Sequence, residues 1–242
     1  MGKTFQFKKF TIAQDRCAMK VGTDGVLLGA WARGGKRVLD IGTGTGLVAL
    51  MMAQRFTDAV VDAVEIDHDT AGQAMENVSS SPFANRVKVF AKALQDFEPD
   101  APYDSIVTNP PFSLMRELVS ALEEHKKQYL LVGTENALTY KEIFPLIQQN
   151  KLWTGYKSGN MPFRVPEDSK ERSNRYWVDD DGQKWRSLGN TIWLTNRDTP
   201  KRHNTIELTK TYNPEDYPKY DNYDAINVDR VENIPIDYPG IM

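Results

Sequence analysis

Apolar positions along the first half of the chain alternate between two forms. Short β-rich runs occur at Val38-Leu39-Asp40-Ile41, Val60 to Ile66, Val87 to Ala91, Tyr103 to Val107 and Tyr129 to Val132. Between them, Gly46 to Phe56 and Leu114 to Glu124 carry helical spacing. Thr70 with Gln73 reads as a capping box opening a further helix, and Thr139 with Glu142 as another before a helix reaching Asn150. Strands alternating with helices are the sequence form of βαβ units on a parallel sheet. The Val60 to Ile66 run is almost wholly apolar, as expected of a strand covered on both faces. The expectation for residues 1–151 is therefore an α/β, doubly wound sheet.

Beyond residue 152 the pattern changes to short aromatic strands, Arg175 to Val178, Lys184 to Leu188 and Thr191 to Thr195, with a turn at Asp179-Asp180-Asp181-Gly182. Residues 152–242 are read as a second region, a small β-rich C-terminal lobe with an irregular tail. Thr211 to Met242, rich in Tyr, Asp, Asn and Pro, is expected to be extended or partly disordered.

Composition adds bounds. The chain has 242 residues, 40% hydrophobic and 26% charged, with a net charge of −3, which excludes a generally basic nucleic-acid binder but leaves local patches open. No apolar run reaches the roughly 18 residues needed to cross a bilayer. The opening residues have no apolar signal region, and Cys17 is the one cysteine, so a cytoplasmic chain is expected. His68, His125 and His203 are scattered, and no metal-ligand spacing exists.

Two segments carry candidate chemistry. Asp40-Ile41-Gly42-Thr43-Gly44-Thr45-Gly46 lies between a strand and a helix, where glycines permit a tight turn and close approach to a ligand. Leu47 stands where a dinucleotide fingerprint would place glycine, and no lysine follows as a phosphate loop requires, so NAD and ATP are disfavoured. S-adenosylmethionine carries an ammonium that Asp40 can attract and a carboxylate that loop amides can receive. Glu65, about 20 residues after the last glycine, is placed to accept both ribose hydroxyls, while Asp67 reads as a solvated helix cap.

The second segment is Ile106-Val107-Thr108-Asn109-Pro110-Pro111-Phe112. Two prolines remove two donors and fix φ, so the strand must stop and present Asn109 at its carboxyl edge. An adenine amino group is a poor nucleophile because its lone pair is delocalised. The Asn109 side-chain oxygen and the Pro110 carbonyl can hold its two N–H groups and favour a pyramidal nitrogen. Phe112 offers a face for stacking a base turned out of a helix. No general base is required before attack, since the proton can leave after transfer.

These motifs support a resemblance. Residues 1 to about 112 resemble the bacterial valine tRNA adenine N6-methyltransferase family, through Phe10-x-x-Ala13-x-Asp15-Arg16-Cys17-Ala18-Met19-Lys20-Val21-Gly22-Thr23-Asp24-Gly25, the glycine loop and Asn109-Pro110-Pro111-Phe112. The resemblance implies a Rossmann-like S-adenosylmethionine-dependent fold, with the Lys20 to Gly25 loop over the methionine end of the cofactor and Thr23 and Asp24 as matching cofactor positions. The family often has an acidic residue near Ala93, for which Gln95 or Asp96 are the substitutes here. Residues from about 109 to 242, including Tyr140-Lys141-Glu142-Ile143-Phe144-Pro145, Trp193-Leu194-Thr195-Asn196 and Tyr217 to Val228, resemble EcoRI-type adenine-specific DNA methyltransferases, in which more residues usually follow the position of Met242. The chain looks composite, with its seam at the shared Asn-Pro-Pro-Phe.

Together these imply an S-adenosylmethionine-dependent adenine N6-methyltransferase acting on nucleic acid, duplex DNA ahead of tRNA. The alternatives are a tRNA adenine N6-methyltransferase and an inactive nucleic-acid-binding protein whose seam misaligns Asn109. The bases and aromatics of the lobe, Arg172, Arg175-Tyr176-Trp177, Lys184-Trp185-Arg186 and Lys201-Arg202-His203, suit phosphate contact and base stacking, so residues 152–242 are expected to recognise the substrate.

Overall fold

The computed structural model describes residues 4–155, 161–171, 175–222 and 225–238. Arg172, Tyr223 and Asp224, named above, lie outside the described residues. The chain divides into two compact units, Met1–Arg197 and Asp198–Met242.

In the first unit a hairpin, β1 (Thr4–Gln6) and β2 (Thr11–Ala13), precedes α1 (Thr23–Trp31). Then come β3 (Arg37–Ile41), α2 (Leu47–Arg55), β4 (Val60–Glu65), α3 (His68–Ser79), β5 (Val87–Ala91), β6 (Ser105–Thr108), α4 (Met115–Glu124), β7 (Tyr129–Thr134) and α5 (Phe144–Gln148). The unit continues through β8 (Phe163–Arg164), β9 (Tyr176–Val178), β10 (Lys184–Arg186) and β11 (Thr191–Thr195). A six-stranded sheet runs in the order β11-β7-β6-β3-β4-β5, parallel throughout except for the antiparallel pair β11 and β7. The strand β11, from the segment assigned to the lobe, is thus an edge of the core sheet. The remaining lobe strands form a small antiparallel sheet, β8-β10-β9.

The sheet is covered on both faces, and alternate residues show it. Val38, Val61, Ala63, Val107, Val132 and Trp193 join the cluster built with α1, α2 and Val78 of α3. Their neighbours Leu39, Val64, Ile106, Leu131 and Leu194 join the opposite cluster, with Met115, Leu118, Val119 and Leu122 of α4. This is the Rossmann-like doubly wound α/β arrangement. One connection departs from it: the link from β5 to β6 carries a 3-10 turn, Leu94–Asp96, where a full helix would cover the sheet beside α4.

Two helix starts differ from the capping boxes expected. Asp67 caps α3, its Oδ1 accepting the Thr70 N–H at 2.8 Å, and the helix begins at His68. Gln73 is drawn off to the Asp15 and Arg16 segment instead. Thr139 closes a 3-10 turn, donating to the Asn136 carbonyl, and α5 starts later at Phe144, where Pro145 suits the first turn. In the second unit, regular structure is sparse: Lys210 bridges Pro235, Lys219 bridges Ile226, and the Tyr217 hydroxyl donates to the Asn233 carbonyl at 2.7 Å.

Leu131 is fully buried in β7 between β6 and β11. Leu131→Ala is expected to destabilise the protein by about 2–5 kcal/mol, measured by urea denaturation, because the rigid sheet cannot collapse into the space.

Candidate active site

The parallel sheet reverses its winding between β3 and β6, the switch point at which an α/β sheet opens a crevice beyond its carboxyl ends. A cleft of about 1380 Å³ lies there, walled by the turn after β3, the end of β4, the end of β6 and the segment before α1.

The turn after β3 is shaped by glycine. Gly42, Gly44 and Gly46 have φ of 69°, 58° and 82°, values that L side chains rarely adopt. A Cβ on Gly42 would meet nothing within 4 Å, so this backbone borders open space in the cleft. The turn is stapled to β4: the Gly42 and Thr43 N–H groups donate to the Val64 carbonyl at 2.7 and 3.1 Å. Gly44 N–H donates to Glu65 Oε2 at 2.9 Å, and Asp67 N–H to Glu65 Oε1 at 3.1 Å. Glu65 therefore holds the loop with one lone pair on each oxygen and keeps further acceptor capacity.

Asp40 is buried at 1% exposure, and its Oδ2 accepts the Thr43 hydroxyl at 2.7 Å. Burial pushes its carboxyl up to about 7, against the hydrogen bond from Thr43, which favours the ionised form. A cofactor ammonium beside it would restore the charge.

The segment before α1 is strapped across α3 and the glycine turn. Asn77 accepts the Ala13 N–H at 2.8 Å and donates to the Ala13 and Thr45 carbonyls, both at 2.9 Å. Gln73 accepts the Arg16 N–H and donates to Asp15, Arg16 pairs with Glu76, and Gln14 accepts the Val21 N–H. Lys20, Val21, Gly22 and Gly25 line the cleft, whereas Thr23 and Asp24 are not among its lining residues. Asp24 instead accepts a hydrogen bond from Asn109 Nδ2 at 2.8 Å.

Asn109 follows β6, whose last residue, Thr108, is fully buried with its hydroxyl donating to the Ile41 carbonyl of β3. Asn109, Pro110 and Pro111 line the cleft. Phe112, at 42% exposure, starts a 3-10 turn and is not one of the lining residues. Gln95 lines the cleft near the end of β5; Asp96 does not.

Gln73, named above only for a capping box, and Asn77, not named above, hold the strap; polar residues at four-residue spacing among Ala71, Ala74 and Val78 on the buried face of α3 are their signal in the sequence. Reasoning from the residues missed the apolar lining residues Ile66 and Leu94, 69% and 38% exposed. Exposed apolar side chains on a cleft wall fit a flat aromatic ring.

The donor set fits S-adenosylmethionine: a buried carboxyl, a positive-φ cradle open to the cleft, a bifunctional carboxylate and exposed apolar walls. The fold defines the class, a Rossmann-like doubly wound α/β protein whose β6 runs into Asn-Pro-Pro-Phe at the mouth of the cleft. The chain belongs to the adenine-specific methyltransferase EcoRI family, whose pattern matches residues 63–242. It is 45% identical over 143 residues to the type II methyltransferase M.EcoRI of Escherichia coli, covering 57% of this chain and 44% of that one. It is 60% identical over 112 residues to the tRNA1(Val) (adenine(37)-N6)-methyltransferase of Parabacteroides distasonis, covering 45% and 47%. The protein of that description from Bacteroides thetaiotaomicron is 44% identical over 171 residues, covering 69% of this chain and 68% of its own, which shows kinship with that family as well. The chain spans about half the length of the first two of these relatives. Among solved structures, the precorrin-6y C5,15-methyltransferase of Geobacter metallireducens matches with a TM-score of 0.49 at 15% identity, over 77% of this chain and 91% of that one.

The raised Asp40 carboxyl predicts a pH signature. Its folded value lies above the ordinary 3.8, so the stability it contributes is complete at low pH and is lost as pH rises from about 4 to about 7. In urea titrations of the cofactor-free protein, Asp40→Asn is expected to remove this downward slope.

Proposed function

We propose that the protein transfers a methyl group from S-adenosylmethionine to the N6 amino group of an adenine in nucleic acid. The observation that carries this reading is the junction at one cleft of the β3 turn, Asp40 and Glu65 on one side with Asn109 and Pro110 on the other. Asp40 would attract the cofactor ammonium, Gly42 and Gly44, bare of side chains at the cleft, would let the methionine end lie close against the turn while Gly46 faces Ala74 of α3, and Glu65 would accept the ribose hydroxyls. Ile66 and Leu94 enclose the cofactor base, with Gln95 offering a polar contact. When bound, S-adenosylmethionine would supply an electrophilic methyl carbon whose leaving group is the neutral thioether. Asn109 Oδ1 and the Pro110 carbonyl accept the two N6–H groups and turn the nitrogen lone pair toward that methyl. The surplus proton on N6 leaves to water after transfer. Phe112, exposed and next in sequence to the cleft-lining Pro111, would stack the extruded base.

For the substrate we favour duplex DNA. The EcoRI family match runs through the whole segment after Asn109. That segment carries a cross-strand ladder: Trp185 stands opposite both Arg164 and Trp177, the two indoles 6.3 Å apart and nearly parallel, with the Arg164 guanidinium 5.2 Å from the Trp185 ring. Aromatic faces beside Arg175, Lys184 and Arg186 suit base and phosphate contacts. Valine tRNA is the second reading, favoured by the identity to the tRNA1(Val) enzymes. Among the described residues no helix is long and apolar enough to cross a membrane, and we place the reaction in the cytoplasm.

Calorimetry is expected to show S-adenosylmethionine binding that Asp40→Ala and Glu65→Ala each weaken by roughly 1–3 kcal/mol. Asn109→Ala is expected to abolish transfer while leaving that affinity nearly unchanged; retained turnover would sink the N6 mechanism.

The substrate is tested by competition between duplex DNA and valine tRNA at equal adenine and fixed salt, with mass spectrometry of N6-methyladenine in each pool. More label in DNA is expected, with affinity falling steeply as salt rises. Label only in tRNA overturns the DNA reading; label in neither, with cofactor bound, indicates an inactive binding protein.

A further inference from the structure

Asn109 is held at the cleft by a residue 85 positions away. Its Nδ2 donates to Asp24 Oδ2 at 2.8 Å, and Asp24 sits in the first turn of α1. The surroundings are cut to fit this carboxylate. Gly22, the residue before α1, has an ordinary extended backbone with φ −111°, so its lack of a side chain serves space and not conformation. A Cβ there would lie 2.3 Å from Asp24 Oδ1. On the other side, a Cβ on Gly25 would lie 3.2 Å from Leu47 Cδ2 and 3.8 Å from Asn109 Nδ2. The bare Gly22 therefore leaves room for the Asp24 carboxylate where it meets the Asn109 amide.

The chemistry of that pair has a direction. An ionised carboxylate only accepts, whereas an asparagine amide donates from nitrogen and accepts at oxygen. Asp24 thus selects the amide orientation with NH2 toward α1, and the carbonyl oxygen is left for the cleft that Asn109 lines. The torsion concerned is broad and two-fold, so without a partner the two orientations differ little. In the flipped orientation NH2 would meet the N–H groups of an incoming amino group, donor against donor.

We propose that Asp24 is a positioning residue that fixes the Asn109 amide with its oxygen toward the target adenine N6, acting on the methyl-transfer step and not on cofactor affinity. This rests on the adenine N6 reading above. Asp24 and Asn109 would also be coupled electrostatically, the carboxylate polarising the amide and making its oxygen a stronger acceptor.

The test combines Asp24→Ala and the near-isosteric Asp24→Asn with the exchange Asp24→Asn plus Asn109→Asp. In Asp24→Ala, kcat for N6-methyladenine formation is expected to fall about 10- to 100-fold, the scale of a misplaced reacting group. S-adenosylmethionine affinity by calorimetry is expected to stay within about 3-fold of wild type. The side-chain amide signal of Asn109 in 15N NMR, assigned by its loss in Asn109→Asp, is expected to shift in Asp24→Ala without added cofactor. The exchanged pair rebuilds the bond with the amide on α1 and an acceptor oxygen at 109, so it is expected to be more active than Asn109→Asp alone. Wild-type kcat in Asp24→Ala, an unmoved amide signal, a loss confined to cofactor affinity, or an exchange less active than Asn109→Asp would overturn the assignment. A wild-type protein that methylates no adenine fails the underlying reading instead, and the amide signal then still reports whether Asp24 holds Asn109.

Discussion

Val38 lies opposite Ser105 and Leu39 opposite Ile106, and this register decides where two neighbouring parallel strands release their chain. One ends in glycines that turn back toward β4, the other in an asparagine and two prolines that cannot pair onward. A shift of one residue would send the side chains of β6 to the wrong faces and carry Asn109 away from the β3 turn. The buried Thr108 hydroxyl, donating to the Ile41 carbonyl, ties together the last residues of the two strands. Everything chemical in the molecule is set relative to that junction.

Around it, the same groups serve shape and chemistry. Glu65 spends one lone pair per carboxylate oxygen on backbone N–H groups and so arrives at the cleft already oriented. Asn77 closes two bonds with Ala13 and one with Thr45, tying strap, helix and turn at a single buried side chain. Preorganisation of this kind means that little needs to be ordered when a ligand enters.

Much of this was legible from the residues alone. Short apolar runs marked each parallel strand of the core, most plainly in β4 and β6, which are buried along most of their length. Strand-end motifs marked the crevice, because turn chemistry is local: a glycine run or a proline pair acts through its own φ angles. Long-range relations were not legible. Thr70 and Gln73 satisfy the local grammar of a capping box, yet tertiary contacts claim Gln73 and leave the cap to Asp67. Helix α1 shares only Thr23, Asp24 and Gly25 with the Phe10 to Gly25 string, and the bond between Asp24 and Asn109 joins residues that no spacing rule connects. The place of β11 was hidden for the same reason, since an antiparallel edge strand and a lobe strand read alike.

That edge strand has a consequence for how the molecule is made. Strand β7 is largely buried, and the hydrogen bonds on its outer side are completed by β11, whose Thr191 pairs with Thr134 across a stretch holding α5 and three other strands. On the ribosome, every residue of the crevice emerges well before that partner does. Until Thr191 to Thr195 arrive, the nascent sheet carries an open apolar rim able to pair with a neighbouring chain. The last strand of the core therefore acts as a cover over a sticky edge, and until it docks that edge is open to pairing with other chains.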